Sequence, residues 1–457
     1  MFGIFRKRRK RVVLVTPPSV PSPTYHRTNV NESPTIDEFR PSQPFLPLGV
    51  AYLASSLEEE DFDVRVIDLT FTIQQKLGLK SVRKAILSLR PDAVGISTYT
   101  STIPFTYQLA DAIKDEMRET PVILGGPHVS ALPQRTLKEC SSIDAVIIGE
   151  GEHSFPLFLK SLLSNGLSKE LENLKGVLFR HGDDIVGDQN PVYIENVDFL
   201  PFPARHLFDL ERYKKASYLF SAKQYPVTQI ITSRGCPHSC LFCTRINNGH
   251  KFRARSSKNI VLELIQLKEY GFNEIEIVDD SFTEDRSRVL EICRGIKEKN
   301  LNLSFSLPNG VRVDRVDREL LLSMYQAGFY SISFGVESGD DNVLKINRKG
   351  FSVEQIKNAV LTAKRIGFVV KLFTIVGLLG SSVESEEKTL KLIRESEADY
   401  AVTSVCTPYP GSPLWDEIKD VIENVPWKRY DEAGVLNPIY LPNGITMDQL
   451  SKFLPKK

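Results

Sequence analysis

The sequence predicts an α/β protein with two parallel-stranded units: an open, doubly wound sheet, followed by a partial TIM-like barrel of six βα units. Three observations carry this reading. Five short β-branched runs alternate with amphipathic stretches over the first 165 residues. A second alternation, of six runs, begins at residue 227, and the stretch 176–226 between them keeps neither rhythm. At 457 residues the chain can bury more than one core. Its 41% apolar and 25% charged content is that of an ordinary soluble globular protein, and a net charge of +1 sets up no global field for nucleic acid, so no such partner is expected.

From its first residues, the chain opens on "RKRRKR" (6–11), ahead of an apolar run too short for a signal-peptide core or a membrane span. The run reads as a solvated arm; Phe2, Ile4 and Phe5 beside it leave weak attraction to an anionic membrane as the alternative. With no export signal and with clustered thiols, a reducing cytoplasm is expected. The first five strands are "RVVLVT", "DVRVID", "DAVGIST", "PVILGG" and "DAVIIGEG", and "LGVAYLASSLEEE" and "PFTYQLADAIKDEM" are helical. The proline-rich Pro17–Pro47 segment is a long loop. These elements make a first domain of residues 1–170. Residues 171–226 then hold a hairpin, "GVLFRHGDDIVGDQ", and a proline-punctuated linker. The barrel, 227–420, runs through "VTQIITSRG", "EIEIVDDSF", "NLSFSLPNG", "YSISFGVES", "VVKLFTIVG" and "DYAVTSVCTPYPG", leaving a short tail at 421–457. In such a barrel the chemistry gathers at the C-terminal ends of the strands.

"SRGCPHSCLFCTR" (233–245) lies at the end of the first barrel strand and holds three of the six cysteines. A structural zinc site wants four ligands, and no second CxxC follows. Cys236, Cys240 and Cys243 can instead hold three corners of a 4Fe–4S cubane, leaving one iron open to a ligand. Cys140 and Cys293 read as packed thiols. Cys406, at the end of the last strand, is a catalytic candidate, with core packing as the alternative.

The CxxxCxxC spacing, with Phe242 before the last cysteine, resembles the radical S-adenosylmethionine superfamily. That resemblance implies that the open iron chelates S-adenosylmethionine and that reductive cleavage yields a 5′-deoxyadenosyl radical. By the same likeness Asp280 would lie near the cofactor's amino group, with Asp279 beside it. Glu337 would accept from the ribose hydroxyls and Arg348 would pair with the methionine carboxylate, although Arg348 could equally cap a helix. Ser306 and Arg312 are further candidates for that cofactor. Arg253 and Arg255 are expected to order the cluster loop. "TIVGLLGSSVES" stands where the family has a GLPG segment, with Leu379 for the usual proline.

Open parallel sheets bind ligands beyond their strand C-termini. Those ends here hold Ser97, Gly125, Gly126, Gly149, Glu150 and Gly151. Ahead of such a barrel, this pattern resembles the Rossmann-like cobalamin-binding domain of cobalamin-dependent radical enzymes, whose nucleotide tail lies along these positions. The family's cobalt-binding histidine is replaced by Thr70, so the resemblance implies cobalamin without a histidine on the metal. His128 reads as a surface or capping residue. The expected cofactors are therefore a 4Fe–4S cluster, S-adenosylmethionine and cobalamin. Methylation of an unactivated carbon is the expected activity. The alternatives are radical cyclisation, oxidation or rearrangement without methyl transfer, and, from another class, a non-catalytic sensor. The resemblance implies a small-molecule, lipid or peptide substrate and an external electron donor such as flavodoxin or ferredoxin.

Overall fold

The structure is a computed structural model describing residues 8–18, 44–71, 78–166, 169–219, 221–246, 248–432, 438–442 and 444–453. The apolar arm residues Phe2, Ile4 and Phe5, and most of the Pro17–Pro47 loop, lie outside the described residues.

Five parallel strands form the first sheet: β1 (Arg11–Val15), β2 (Asp63–Ile67), β3 (Ala93–Ser97), β4 (Val122–Gly125) and β5 (Ala145–Ile147), in the order β2-β1-β3-β4-β5. β1, β3, β4 and β5 are near-continuous apolar runs because helices cover both faces, whereas β2 is the edge and carries exposed Arg65. The order reverses between β1 and β3, which opens a crevice at their C-terminal ends. The hairpin belongs to this sheet rather than to a linker. β6 (Val177–His181) pairs antiparallel with β5, and β7 (Asp184–Asp188) pairs with β6. Val177 and Phe179 pack into the sheet's core, so β6 covers an edge that β5 would otherwise expose. The first unit therefore extends to Asp188.

β8 (Val227–Ile230) leads into a two-stranded ribbon, β9 (Ser233–Arg234) with β10 (Arg253–Ala254). Then come β11 (Glu274–Ile277), β12 (Ser304–Val311), β13 (Phe329–Glu337), β14 (Val369–Val376) and β15 (Tyr400–Val405). Together with β8 these five strands make a six-stranded, all-parallel sheet in chain order, the expected partial barrel. Ile275, Ile277, Phe305, Leu307, Ile332 and Phe334 join the core beneath the helices. Strand alternation turns Gln229, Glu276, Ser306, Ser333 and Lys371 to the lumen.

Buried ions lock the two units together. Arg253 forks onto Glu150 at 2.8 and 2.7 Å, Arg234 reaches Glu152 at 2.6 Å, and Arg205 of the linker meets Glu263 at 2.6 Å. Each of these side chains is under a tenth exposed, so removing one partner would strand a buried charge. The tail adds a second clamp. Trp427 donates its indole N–H to Glu139 at 2.8 Å, lies under Arg135 (4.4 Å to the ring centre), and packs edge-on against His128. His128 is thus buried, not on the surface, and burial holds its pKa down at about 4. Within the basic run, Arg8, Arg9 and Arg11 pair with Asp92, Asp61 and Asp63 of the same domain. Among the described residues no helix is long and apolar enough to cross a membrane.

Candidate functional site

The cysteine loop is built by its flanks. Gly235 has φ +81°, and a β-carbon there would strike the Lys251 carbonyl, so the chain can enter the loop only through glycine. Asp279, at the end of β11, accepts from the Thr232 amide and hydroxyl and from the Ser233 hydroxyl, which fixes the exit of β8. The Cys236 amide donates to the Gly249 carbonyl and the Arg245 side chain donates to that of His238, closing the loop on itself. Arg253 also donates to the Asn248 carbonyl and so ties down the end of this loop, whereas Arg255 donates to the Ile231 carbonyl and holds the strand exit ahead of it.

The three thiols are partly buried and unpaired. Burial, and then the neighbouring thiols Cys240 and Cys236, push Cys243 up to about 12. A cationic iron cluster reverses that cost by binding the thiolates, so the donor set fits one. Among the described residues no three His, Cys, Asp or Glu side chains converge as a single metal ion would require. A cubane takes one thiolate per iron and needs no such convergence.

Beyond the strand ends of both units lies one cavity of about 580 Å³. From the sheet it is lined by Ser97, Gly125, Gly126, Gly149, Glu150 and Gly151, and from the barrel by Ser233, Arg234, Asn248, Asp280 and Asn309. The structure thus brings seven of the expected residues, Asp280 among them, to one space. They differ in what they offer it. A β-carbon on Gly125 would meet nothing nearer than 3.9 Å, so that face is open to a ligand. Gly126 has φ +105° and a β-carbon there would lie 2.5 Å from the Thr98 carbonyl, so the fold itself requires this glycine. Glu150 is corrected: both its oxygens are taken by Arg253 and the Ile194 amide, which makes it an interdomain anchor. Asp280 is exposed toward the cavity and accepts from the Asn248 side-chain amide at 2.8 Å. Thr70 is buried, its amide donating to Asp68. The apolar sheet wall and open glycine face fit a large planar cofactor with a tail, and cobalamin is such a group.

A second group gathers beside the cysteine loop. Glu337 ends β13 with φ +63°, and its carboxylate accepts from the Lys349 ammonium at 3.1 Å. That ammonium lies 5.7 Å from the centre of the Phe242 ring. Arg312 forks onto Asp314 and donates to the Lys349 carbonyl at 2.6 Å. The sequence reading named Arg348 for this group; the structure places its neighbour Lys349 against Glu337. Arg348 has φ +57° and a side chain 52% exposed, 3.7 Å from Glu417, so the turn sends it outward and its neighbour inward. Two adjacent cations in "NRKG" were the available signal, without the backbone conformation that separates them. Cys406 is corrected as well. It is 2% exposed among Leu241, Val343, Leu378 and Leu414, and burial pushes its thiol up to about 12, so it packs a core. Cys140 and Cys293 are buried as expected.

Below this level the lumen is polar, where TIM-like interiors usually hold branched apolar side chains. Gln229 donates to Glu276 at 2.9 Å, and burial pushes the Glu276 carboxyl up to about 7. Burial lowers Lys371 while Glu276 opposes the shift. Ser306, level with Glu276, has a buried hydroxyl with no hydrogen-bond partner, so it lies below Glu337 rather than beside it.

A B12 binding domain model matches residues 41–159, and a Radical SAM superfamily model matches residues 230–393. An uncharacterized methyltransferase of Pyrococcus horikoshii is 33% identical over 90% of this chain and 86% of its own. The anaerobic magnesium-protoporphyrin IX monomethyl ester cyclase of Cereibacter sphaeroides is 27% identical over 88% of this chain and 65% of its own. Among solved structures, the radical S-adenosylmethionine methyltransferase TsrM of Kitasatospora setae superposes with a TM-score of 0.70 at 18% identity, over 91% of this chain and 77% of that one. The chain belongs to the family of cobalamin-dependent radical S-adenosylmethionine enzymes. Its cofactors are accordingly a 4Fe–4S cluster, S-adenosylmethionine and cobalamin, and enzymes of this superfamily need an electron donor and act on small molecules.

Proposed function

We propose that this enzyme methylates an unactivated carbon of a small polar substrate. The observation that carries the reading is the single cavity whose walls come jointly from the sheet's strand ends and the barrel's, beside the three-cysteine loop. When bound, the cofactors would supply hydrogen-atom abstraction and a methyl group; the protein would hold them in one cavity and keep water out.

Each side chain then has a task. Cys236, Cys240 and Cys243 hold the cluster. Glu337 accepts from the ribose hydroxyls, and the Lys349 ammonium beside it receives the methionine carboxylate, the role first expected of Arg348. Asp280, open to the cavity, meets the amino group. Ser97 and Gly125 would leave room for the cobalamin tail, and Thr70 stands in the sequence where the family's cobalt-binding histidine is expected. The lumen of Gln229, Glu276 and Lys371 favours a substrate with polar, hydrogen-bonding groups over a hydrocarbon lipid. Because the described part of the basic run pairs with its own domain, it contributes little to membrane attraction. The unpaired thiols suit a reducing cytoplasm.

The test uses reconstituted, anaerobic enzyme with S-adenosylmethionine carrying a deuterated methyl group, cobalamin, reductant and pooled polar metabolites. Methyl transfer predicts 5′-deoxyadenosine and S-adenosylhomocysteine together, with the label in a product. The relationship to a named cyclase supports a second reading, radical chemistry without methyl transfer. 5′-Deoxyadenosine without S-adenosylhomocysteine would favour it.

A further inference from the structure

The barrel's lumen continues downward from the shared cavity. Ile231 and Val278 line that cavity, and they stand two residues above Gln229 and Glu276 on the same faces of their strands. β14 shows that the lumen is open. Val370 and Leu372 join the core beneath the helices, whereas Lys371, Phe373 and Ile375 on the opposite face are half-buried. With β13 and β15 paired on either side, their exposed surface faces the lumen.

Two opposite charges stand in this space without meeting each other. Lys371 makes no hydrogen bond and no ion pair among the described residues. Glu276 accepts from Gln229 through one oxygen at 2.9 Å, and its other oxygen accepts nothing among the described residues. β12 and β13 lie between their strands, so the two backbones stand roughly 14 Å apart along the curved wall at the usual strand spacing. Ser306 and Ser333 project from the intervening strands; both are buried, and neither hydroxyl has a partner among the described residues. The floor below is satisfied, because Glu274 accepts from the Tyr330 hydroxyl and from the Lys223 and Gln224 amides, each at 2.8 Å. Burial pushes Glu276 up and Lys371 down, as it does for charges held without counter-ions.

We infer that this lumen recognises a free amino acid, its carboxylate and ammonium held between Lys371 and Glu276 and its side chain rising past Phe373 to the shared cavity. The inference rests on the proposed function above and names the substrate class. Complementarity decides that class. An anion alone would pair with Lys371 but lie close to Glu276, and a cation alone would meet the reverse difficulty. A neutral polyol would leave both charges buried and unpaired. A zwitterion supplies a counter-ion to each, so neither charge is stranded. Ser306 and Ser333 can donate or accept between the two ends. The carbon to be methylated then lies on the side chain, away from the charged end.

The test measures binding to the reconstituted, unreduced enzyme, where no turnover occurs, by thermal shift and then calorimetry. The probe is a mixture of the twenty α-amino acids, then each singly, compared with their N-acetyl and methyl-ester forms. A free amino acid should bind, and each blocked form should bind about tenfold or more weakly. In Lys371→Met the preference for the free acid over its ester should fall below about twofold while the preference for the free amine persists. Glu276→Gln should do the converse. A merely structural role would lower every affinity together. Iron content and S-adenosylmethionine affinity should not change. Failure of every amino acid to bind the wild type would overturn the inference. So would equal binding of free and blocked forms, a comparison that needs no variant to fold. Amino-acid binding followed, after reduction, by 5′-deoxyadenosine without S-adenosylhomocysteine would instead refute the methylation reading.

Discussion

The sheet's pocket and the barrel's site recognise their cofactors by different physics. The sheet offers shape: an apolar wall, an open face at Gly125, and a carboxylate, Glu150, that is already bonded elsewhere. The barrel offers charge: a loop of three thiols in which burial pushes Cys236 and Cys243 up, a Glu337–Lys349 pair, and a lumen holding Glu276 and Lys371. A shape-built pocket stands without its ligand because an apolar wall left open to water strands no unpaired charge. A charge-built site carries a desolvation cost until its cofactor arrives. The barrel should therefore depend on its cofactors for stability more than the sheet does.

The largest effect tests whether the two sites are separable. Replacing Cys236, Cys240 and Cys243 together by Ala should abolish cluster assembly, read as iron, sulfide and visible absorbance, while cobalamin uptake persists. Loss of both would break the comparison, and retention of the cluster would refute the ligand assignment.

Neighbouring glycines then separate ligand room from fold. Gly125→Val should block cobalamin binding, followed by absorbance, with little change in melting temperature. Gly126→Val should destabilise the domain itself, by about 2 kcal/mol or more, because its backbone is left-handed and Thr98 lies in the way. Equal behaviour of the two would mean that the glycine face is not a ligand surface.

On the barrel side, Glu337→Ala and Lys349→Met should each weaken S-adenosylmethionine binding about ten- to a hundredfold, as calorimetry would show, with iron content intact. Arg348→Ala should change it less than about twofold. The reverse ranking would restore Arg348 to the site.

The last effect, confined to a pH window, concerns the lumen. The Glu276 carboxyl titrates near 7 in the fold against 4.5 for an unperturbed glutamate, so between those values the unfolded chain binds fewer protons than the native one. Stability should then fall as pH rises through this window, by about 3 kcal/mol at most, and level off above it. Glu276→Gln should remove that slope and raise the melting temperature at pH 8 but not at pH 4. An unchanged slope would show that Lys371 and Gln229 already compensate the charge.

Much of this molecule was legible in the sequence. The runs "RVVLVT" and "PVILGG" are strands because β-branched side chains fit a sheet covered on both faces, and that preference is local. The spacing of Cys236, Cys240 and Cys243 is also local: a few residues of loop must wrap one cluster. The glycines at the strand ends marked the crevice for the same reason. What could not be read depended on contacts between distant parts of the chain. "GVLFRHGDDIVGDQ" announces a hairpin, yet only the exposed edge of β5 decides that it joins the first sheet. Glu150 sits in a promising glycine turn, but Arg253, 103 residues away, claims its carboxylate. Trp427 looks like part of an uninformative tail until Glu139, 288 residues earlier, accepts its indole N–H. Arg348 and Lys349 are equivalent cations in sequence; the left-handed turn after the helix Asp341–Ile346 points one out and the other in. Local preference settled which elements form and which chemistry the chain carries, because propensity and motif spacing act over a few residues. Folding settled which side chains are spent on holding the two units together and which remain free for a ligand, because burial and ion pairing depend on neighbours that no local pattern encodes.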